Sequence, residues 1–248
     1  MSIGMFSILP VPKKTWDERS LGWVIPWMPV VGGLIGLLWF AVAWLTTDWP
    51  PAVRAALVML TPFVLSGFIH LDGFMDTADA WFSRRGLEEK KRILKDSHVG
   101  AFAVIAVACL FLLQYSAIET ILAEKKSLLA LIFIPILSRN IVGLQLLSHK
   151  AMSETGFAAM FKTNTGKRHY AFIGVLFAVA VIVPAFCGLD MGTATTATTV
   201  TGMGVMALLI SRFQGVSGDL CGCAITLSEL AGLLILSLRP ALEAMRWS

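Results

Sequence analysis

The stretch VGAFAVIAVACLFLLQYSAIETIL at residues 99–122 carries one charged side chain, Glu119, over its whole length. A helix needs about 20 consecutive apolar residues to cross a bilayer core of about 30 Å, so this run predicts a transmembrane helix. Six further blocks of the same kind lie around it, at 24–47, 52–71, 128–148, 170–189, 195–211 and 220–238. The block at 195–211 is the weakest, short and rich in Thr and Gly; if it does not span, the count falls from seven to six. Composition agrees, since hydrophobic residues make up 56% of the 248 and charged residues 15%, against about 45–50% and about 25% in soluble domains. The expectation is an all-α, polytopic helical membrane protein forming one domain over 1–248. A soluble domain, a disordered chain, collagen and a secreted disulfide scaffold are excluded.

The net charge of +4 does not point to nucleic acid, because Lys and Arg are confined to the gaps between apolar blocks, as membrane loops require. With the N-terminus taken as cytoplasmic, that side collects Lys13, Lys14 and Arg19, the six cations from Arg84 to Lys95, then Lys150, Lys162, Lys167, Arg168 and Arg212, fourteen in all. The other side holds five, Arg54, Lys125, Lys126, Arg239 and Arg246, and Arg139 is left inside a span. This positive-inside bias puts the N-terminus and every polar cluster described below on the cytoplasmic face. Cys109, Cys187, Cys221 and Cys223 lie in or beside apolar segments without metal-ligand spacing and read as small buried packing residues. The first 23 residues lack an apolar run followed by a cleavage site, so no signal peptide is expected.

The sharpest chemical feature is His70-Leu71-Asp72-Gly73-Phe74-Met75-Asp76-Thr77-Ala78-Asp79. On a helix, Asp72, Asp76 and Asp79 fall at roughly 0°, 40° and 340°, one narrow stripe, with His70 at roughly 160°. Three carboxylates on one stripe repel one another, and a hard cation such as Mg²⁺, which prefers carboxylate and phosphate oxygens, relieves the repulsion. The plain alternative is a solvated helix face, against which the flanking Leu71, Phe74, Met75, Ala78, Ala80, Trp81 and Phe82 argue. The basic stretch at 84–96 reads as an interfacial helix with ion pairs of Glu88 and Glu89 to Arg92, its Arg84, Arg85, Lys90 and Lys91 facing anionic lipid.

Lys95-Asp96-Ser97-His98 places a cation, an anion, a hydroxyl and an imidazole where the next span begins. Ser97 either caps that helix or, with Lys95, helps its free N–H groups hold a phosphate. Arg139, in mid-span, requires a partner carboxylate such as Glu229, a cavity or an anionic ligand. The segment from Arg212 to Asp219 puts two glycines and Ser217 into a short loop, with Asp219 as a further metal ligand or the loop as a plain turn. Carboxylates for a divalent ion and cations for phosphate on one face suggest phosphoryl transfer.

These residues resemble the cobalamin synthase family, the adenosylcobinamide-GDP ribazoletransferases. The resemblance includes Leu9-Pro10-Val11-Pro12, the run at 29–36, the His70 to Asp79 motif, and Lys95-Asp96-Ser97 with Gly100. Arg139, Glu154-Thr155-Gly156 with Phe161, and 215–219 with Gly222 complete it. It implies a bacterial inner-membrane enzyme that requires Mg²⁺, joins adenosylcobinamide-GDP to α-ribazole or its 5′-phosphate, and releases GMP. It further implies that Asp72, Asp76, Asp79 and Asp219 hold the metal, and that one of the motif aspartates, or His70, takes the proton of the attacking hydroxyl. Lys95, Asp96, Ser97, Arg139, Arg212 and Ser217 would bind substrate, and Trp81 and Phe82 would stack on the corrinoid. Other enzymes of the pathway become candidate partners at the same face. The chain departs from the family pattern at Phe68 and Ile69, where small residues are usual, at Ala80-Trp81, and at Gln214-Gly215 with Ser217.

A CDP-alcohol phosphotransferase would show Ala-Arg where this chain has Met75-Asp76, and a prenyltransferase two separated aspartate-rich motifs. A transporter using Asp72, Asp76, Arg139 and Glu229 as an ion path would show repeated halves, and no repeat is visible.

Overall fold

The computed structural model describes residues 1–11, 20–124, 127–154, 156–162 and 165–245, the last seven as backbone only. Pro12, Lys13, Lys14, Arg19, Lys125, Lys126, Thr155 and Arg246, and the side chain of Arg239, lie outside the described residues. The helices run α1 Ser2–Phe6, α2 Leu21–Val24, α3 Met28–Leu45, α4 Pro51–Leu65, α5 Ile69–Phe82 and α6 Leu87–Ile93. They continue as α7 Ala101–Ala123, α8 Ala130–Ser148, α9 Phe157–Met160, α10 Lys167–Cys187, α11 Leu189–Phe213 and α12 Gly218–Met245. Among the described residues there is no strand, only an isolated bridge between Ala151 and Val216. The protein is an all-α, multi-pass membrane protein.

Six helices are long and apolar enough to cross a bilayer: α3, α7, α8, α10, α11, and α12 over Gly218–Leu238. α4 and α5 qualify only together, and they are bent 89° to one another. The ends of the bundle show what the pair does. The start of α3 meets the start of α10, with Trp27 and Phe172 rings 5.4 Å apart, and Tyr170 of α10 donates to the Leu147 carbonyl at the end of α8. Just beyond α8, Met152 N–H donates to the Val216 carbonyl before α12. The end of α5 meets the start of α7 through Phe82 and Phe102, 5.9 Å apart, and Trp81 near that end lies under Arg212 at the end of α11. α3 therefore carries the chain away from this end, and only α4 plus α5 can bring it back. The bent pair returns the chain to this end, and counted as one span it brings the candidate crossings to seven.

A straight second span through Leu71 is corrected. The helix stops at Leu65 because Gly67 and Phe68 are both left-handed, at φ 63° and 61°, a conformation that favours glycine. Phe68 holds this conformation despite its bulky side chain, which stays exposed. A break at bilayer depth leaves carbonyls without partners. Here Ile8 N–H donates to the Leu65 carbonyl at 2.9 Å and the Ser66 hydroxyl to that of Pro62 at 2.8 Å.

The weak sixth block is also corrected, since α11 runs the full length from Leu189 to Phe213. Its threonines turn their hydroxyls back onto the helix: Thr195 onto Met191, Thr196 onto Gly192, Thr198 onto Ala194 and Thr199 onto Thr195, at 2.7 to 3.0 Å. Satisfied in this way, they present methyl groups outward. Leu189 opens this helix instead of ending the previous one, because the chain turns at Gly188. α3 lies backbone to backbone on α8: a Cβ on Gly36 would fall 2.7 Å from the Ile132 carbonyl oxygen. Of the cysteines, Cys221 and Cys223 are buried as expected, whereas Cys109 and Cys187 are exposed, and none is in a disulfide.

α11 ends with Gln214 left-handed at φ 58° and its side chain exposed. Gln214→Gly removes the Cβ penalty at this cap, so the unfolding midpoint in detergent should rise by the equivalent of about 1 kcal/mol. A lower midpoint would mean that the glutamine side chain holds something.

Candidate active site

The motif helix α5 lies on α12 backbone to backbone. A Cβ on Gly73 would fall 2.7 Å from the Asp219 carbonyl oxygen, and one on Gly222 would fall 2.9 Å from that of His70. Thr226 adds a hydrogen bond to the His70 carbonyl at 3.3 Å. This crossing sets Asp72, which is exposed, and Asp76, which is half-buried, beside Asp219 in the first turn of α12. Asp76 feels the negative fields of Asp72, Asp219 and Asp79, in that order. Asp219 is thus a helix residue, not a loop residue. Ser217 works as the cap of α12, receiving the Leu220 N–H at 3.3 Å and donating to Asp219 Oδ2 at 3.4 Å.

Three expected site residues sit elsewhere. α5 continues unbroken through Gly73, so His70 stays turned from the aspartate stripe; it is buried, and its Nε2 has no partner among the described residues. Arg139 is buried at 1% exposure and closed in an ion pair with Glu229. Glu229 also accepts from Ser138 at 2.9 Å, and Arg139 donates to the Pro135 carbonyl at 3.3 Å. The guanidinium is answered inside the bundle, not held out for a phosphate, and the same closure removes these two charges from any ion path. Asp79 is the third. Its Oδ2 accepts the Gly100 N–H at 2.6 Å and its Oδ1 the Ala103 N–H at 3.0 Å. Asp79, and not Ser97 or a phosphate, therefore occupies the start of α7.

The loops at this end surround the crossing. Lys95, Asp96 and Ser97 are exposed on the approach to α7. The His98 ring and backbone N–H both bond Asp96 Oδ1, at 2.6 and 3.0 Å, which holds its carboxyl below the usual range. Arg212 and Lys90 both lie over the Trp81 ring, at 6.0 and 5.6 Å, so cations cover the face expected to stack on substrate. Phe82 packs on Phe102 and stays half exposed. The short helix α6 forms as expected with Glu89 on Arg92, but Glu88 pairs with Lys91 in place of Arg92. Gly215 serves close packing against Met152, whose Cα would be 2.8 Å from a Cβ there. Two backbone hydrogen bonds of 2.9 Å, Met152 to Val216 and Val216 to Lys150, tie the α8–α10 connection to the Asp219 turn.

That tie reveals a residue that sequence reasoning missed. Lys162, counted only as a loop charge, is half-buried behind the buried Phe161, and burial pushes its ammonium below the usual range beside Cys221 of α12. No local pattern signals it, because the contact depends on a connection folding back onto α12.

The donor set is one of hard carboxylate oxygens, suited to Mg²⁺. Asp72 and Asp76 accept no hydrogen bond among the described residues, and Asp219 accepts only from its capping serine and its own backbone N–H. Among the described residues no three acidic, His or Cys side chains are already gathered at ligating range. The residues fit an ion that takes one or two carboxylates and completes its shell with substrate phosphates and water, as Mg²⁺ does.

Comparisons with known proteins bear on this geometry. The family model described as cobalamin-5-phosphate synthase matches residues 1–237. A Clostridium perfringens (strain SM101 / Type A) protein named adenosylcobinamide-GDP ribazoletransferase is 36% identical, over 96% of each chain. Proteins of the same name from Lachnoclostridium phytofermentans and Geobacillus thermodenitrificans are each 30% identical, over 95% and 91% of this chain and 91% and 89% of their own. No solved structure matches. By a match that runs through nearly all of its length, this chain belongs to the cobalamin-5-phosphate synthase family.

Proposed function

We propose that the protein is an adenosylcobinamide-GDP ribazoletransferase, acting as a single domain in the late steps of cobalamin biosynthesis. The observation that carries the reading is the family match over residues 1–237, with the acidic crossing of α5 and α12 inside it. A ribose hydroxyl of α-ribazole, or of its 5′-phosphate, attacks the phosphorus attached to cobinamide. A new P–O bond forms, the diphosphate P–O bond breaks, and GMP leaves with the electron pair.

Such a transfer needs little covalent help from the protein, only position, charge balance and a proton acceptor. Asp72, Asp76 and Asp219 are the residues that would hold Mg²⁺, which when bound would offset the charge of the diphosphate. Asp72 or Asp76, free of hydrogen-bond partners, takes the hydroxyl proton, and His70, buried and turned away, does not. Arg212 and Lys95 stand at the same end to receive phosphate oxygens. The positive-inside count of fourteen to five supports an inner-membrane protein with its N-terminus and this site in the cytoplasm. Soluble enzymes of the pathway would meet it at that face.

The test is GMP release by the purified protein in nanodiscs, given adenosylcobinamide-GDP and α-ribazole, with Mg²⁺ present and then chelated. Release is expected only with both substrates and the metal together. A folded preparation that binds the corrinoid but releases no GMP would overturn the transferase reading, and release that survives chelation would overturn the metal.

A further inference from the structure

The three motif aspartates do not share one fate. Asp72 and Asp76 accept no hydrogen bond among the described residues, whereas both oxygens of Asp79 are spent on backbone N–H groups of another helix, 21 and 24 residues along the chain. Gly100, the N-cap of α7, makes no side-chain cap of its own, so the α5 carboxylate supplies what the local sequence lacks. The seat is closed sterically too, since a Cβ on Gly100 would fall 2.5 Å from Asp79 Oδ1. A carboxylate with two short N–H bonds at a helix start gains both charge-assisted hydrogen bonds and the favourable end of the helix dipole. Withdrawing it toward a metal would forfeit both and leave the first turn of α7 uncapped.

We infer that Asp79 is a positioning residue and not a metal ligand: its carboxylate clamps the end of the motif helix to the start of α7. α5 is then held at three places, by the break at Gly67-Phe68, by the Gly73 crossing on α12 and by this clamp. The clamp fixes the rotation of α5 about its axis, and so the direction in which Asp72 and Asp76 project toward Asp219. The inference rests on the transferase reading for its kinetic consequence, but the clamp itself is visible without activity.

Asp79→Asn tests it, because the amide retains the shape but has an acceptor oxygen at only one of the two positions that Gly100 and Ala103 address. Hydrogen exchange of the full protein in nanodiscs should speed by about tenfold or more at residues 100–103. GMP turnover should fall by about tenfold or more, while the Mg²⁺ concentration for half-maximal rate stays within about twofold. A half-saturating Mg²⁺ concentration raised about tenfold, with exchange unchanged, would make Asp79 a ligand and overturn the inference. Faster exchange with normal turnover would reduce the contact to a helix cap and also overturn it. Gly100→Ala gives a second approach should the first variant insert poorly, since it keeps the charge and pushes the carboxylate off its seat. The same loss of turnover is expected, and unchanged turnover would count against the clamp. A wild-type protein that releases no GMP would instead sink the transferase reading, with exchange at 100–103 still reporting the contact.

Discussion

Asp76→Asn is expected to lower GMP release by on the order of 10²-fold or more, with yield and unfolding midpoint unchanged or improved. The two halves of this expectation have the same origin. Asp76 is half-buried among Asp72, Asp219 and Asp79, so its charge costs the folded protein something when no cation is bound. Neutralising it relieves that repulsion, and the amide fills the same space. Loss of turnover together with a maintained midpoint is therefore the signature of a group retained for chemistry. Turnover and thermal unfolding measured on one preparation decide it; near-normal turnover would remove Asp76 from the site.

The second large effect concerns stability. Arg139→Leu leaves Glu229 buried without its partner, and breaking a buried pair on one side costs about 3–5 kcal/mol. Replacing both residues with leucine should restore much of that, because no uncompensated charge remains and the volume is kept. A double-mutant cycle on unfolding in detergent or nanodiscs reads the coupling. If Arg139→Leu alone costs under about 1 kcal/mol, the pair is not holding α8 to α12 in the way its burial indicates. Turnover of the double variant carries its own information: near-normal GMP release would confirm that Arg139 acts inside the bundle and not on substrate.

The spans at 99–122 and 128–148 were legible because uninterrupted apolar length is itself the physical requirement, and their helices, α7 and α8, differ by a few residues at the ends. The Arg139–Glu229 pair was legible for a related reason: a guanidinium at that depth has very few admissible partners. The break after Leu65 was not, because Gly67-Phe68-Ile69 continues an apolar run, and only backbone torsion distinguishes it from a continuing helix. α11 is longer than hydropathy suggests because hydropathy counts a threonine hydroxyl as exposed to its surroundings, while here those of Thr195, Thr196, Thr198 and Thr199 bond the preceding turn. The carboxylate stripe was correctly placed on one helix, but the part taken by Asp79 was hidden, since its partners lie on α7 and no spacing rule links residue 79 to residues 100 and 103. The same holds for Lys162, whose neighbour is on α12.

The docking of α5 on α12 bears on how the protein is made. During synthesis, helices enter the membrane in chain order, yet the surface against which Gly73 and His70 pack belongs to Gly218–Met245, the helix translated after all the others. α4 and the broken backbone at 66–68 therefore precede their α12 partner by the whole of α6 to α11, and the Ile8 N–H to Leu65 bond at the break comes from chain already made. The membrane machinery thus handles a half-finished crossing for most of the translation time. A ribosome stalled before α12 would hold a protein with nearly all of its spans inserted and its acidic helix still without the partner that gives it a fixed place.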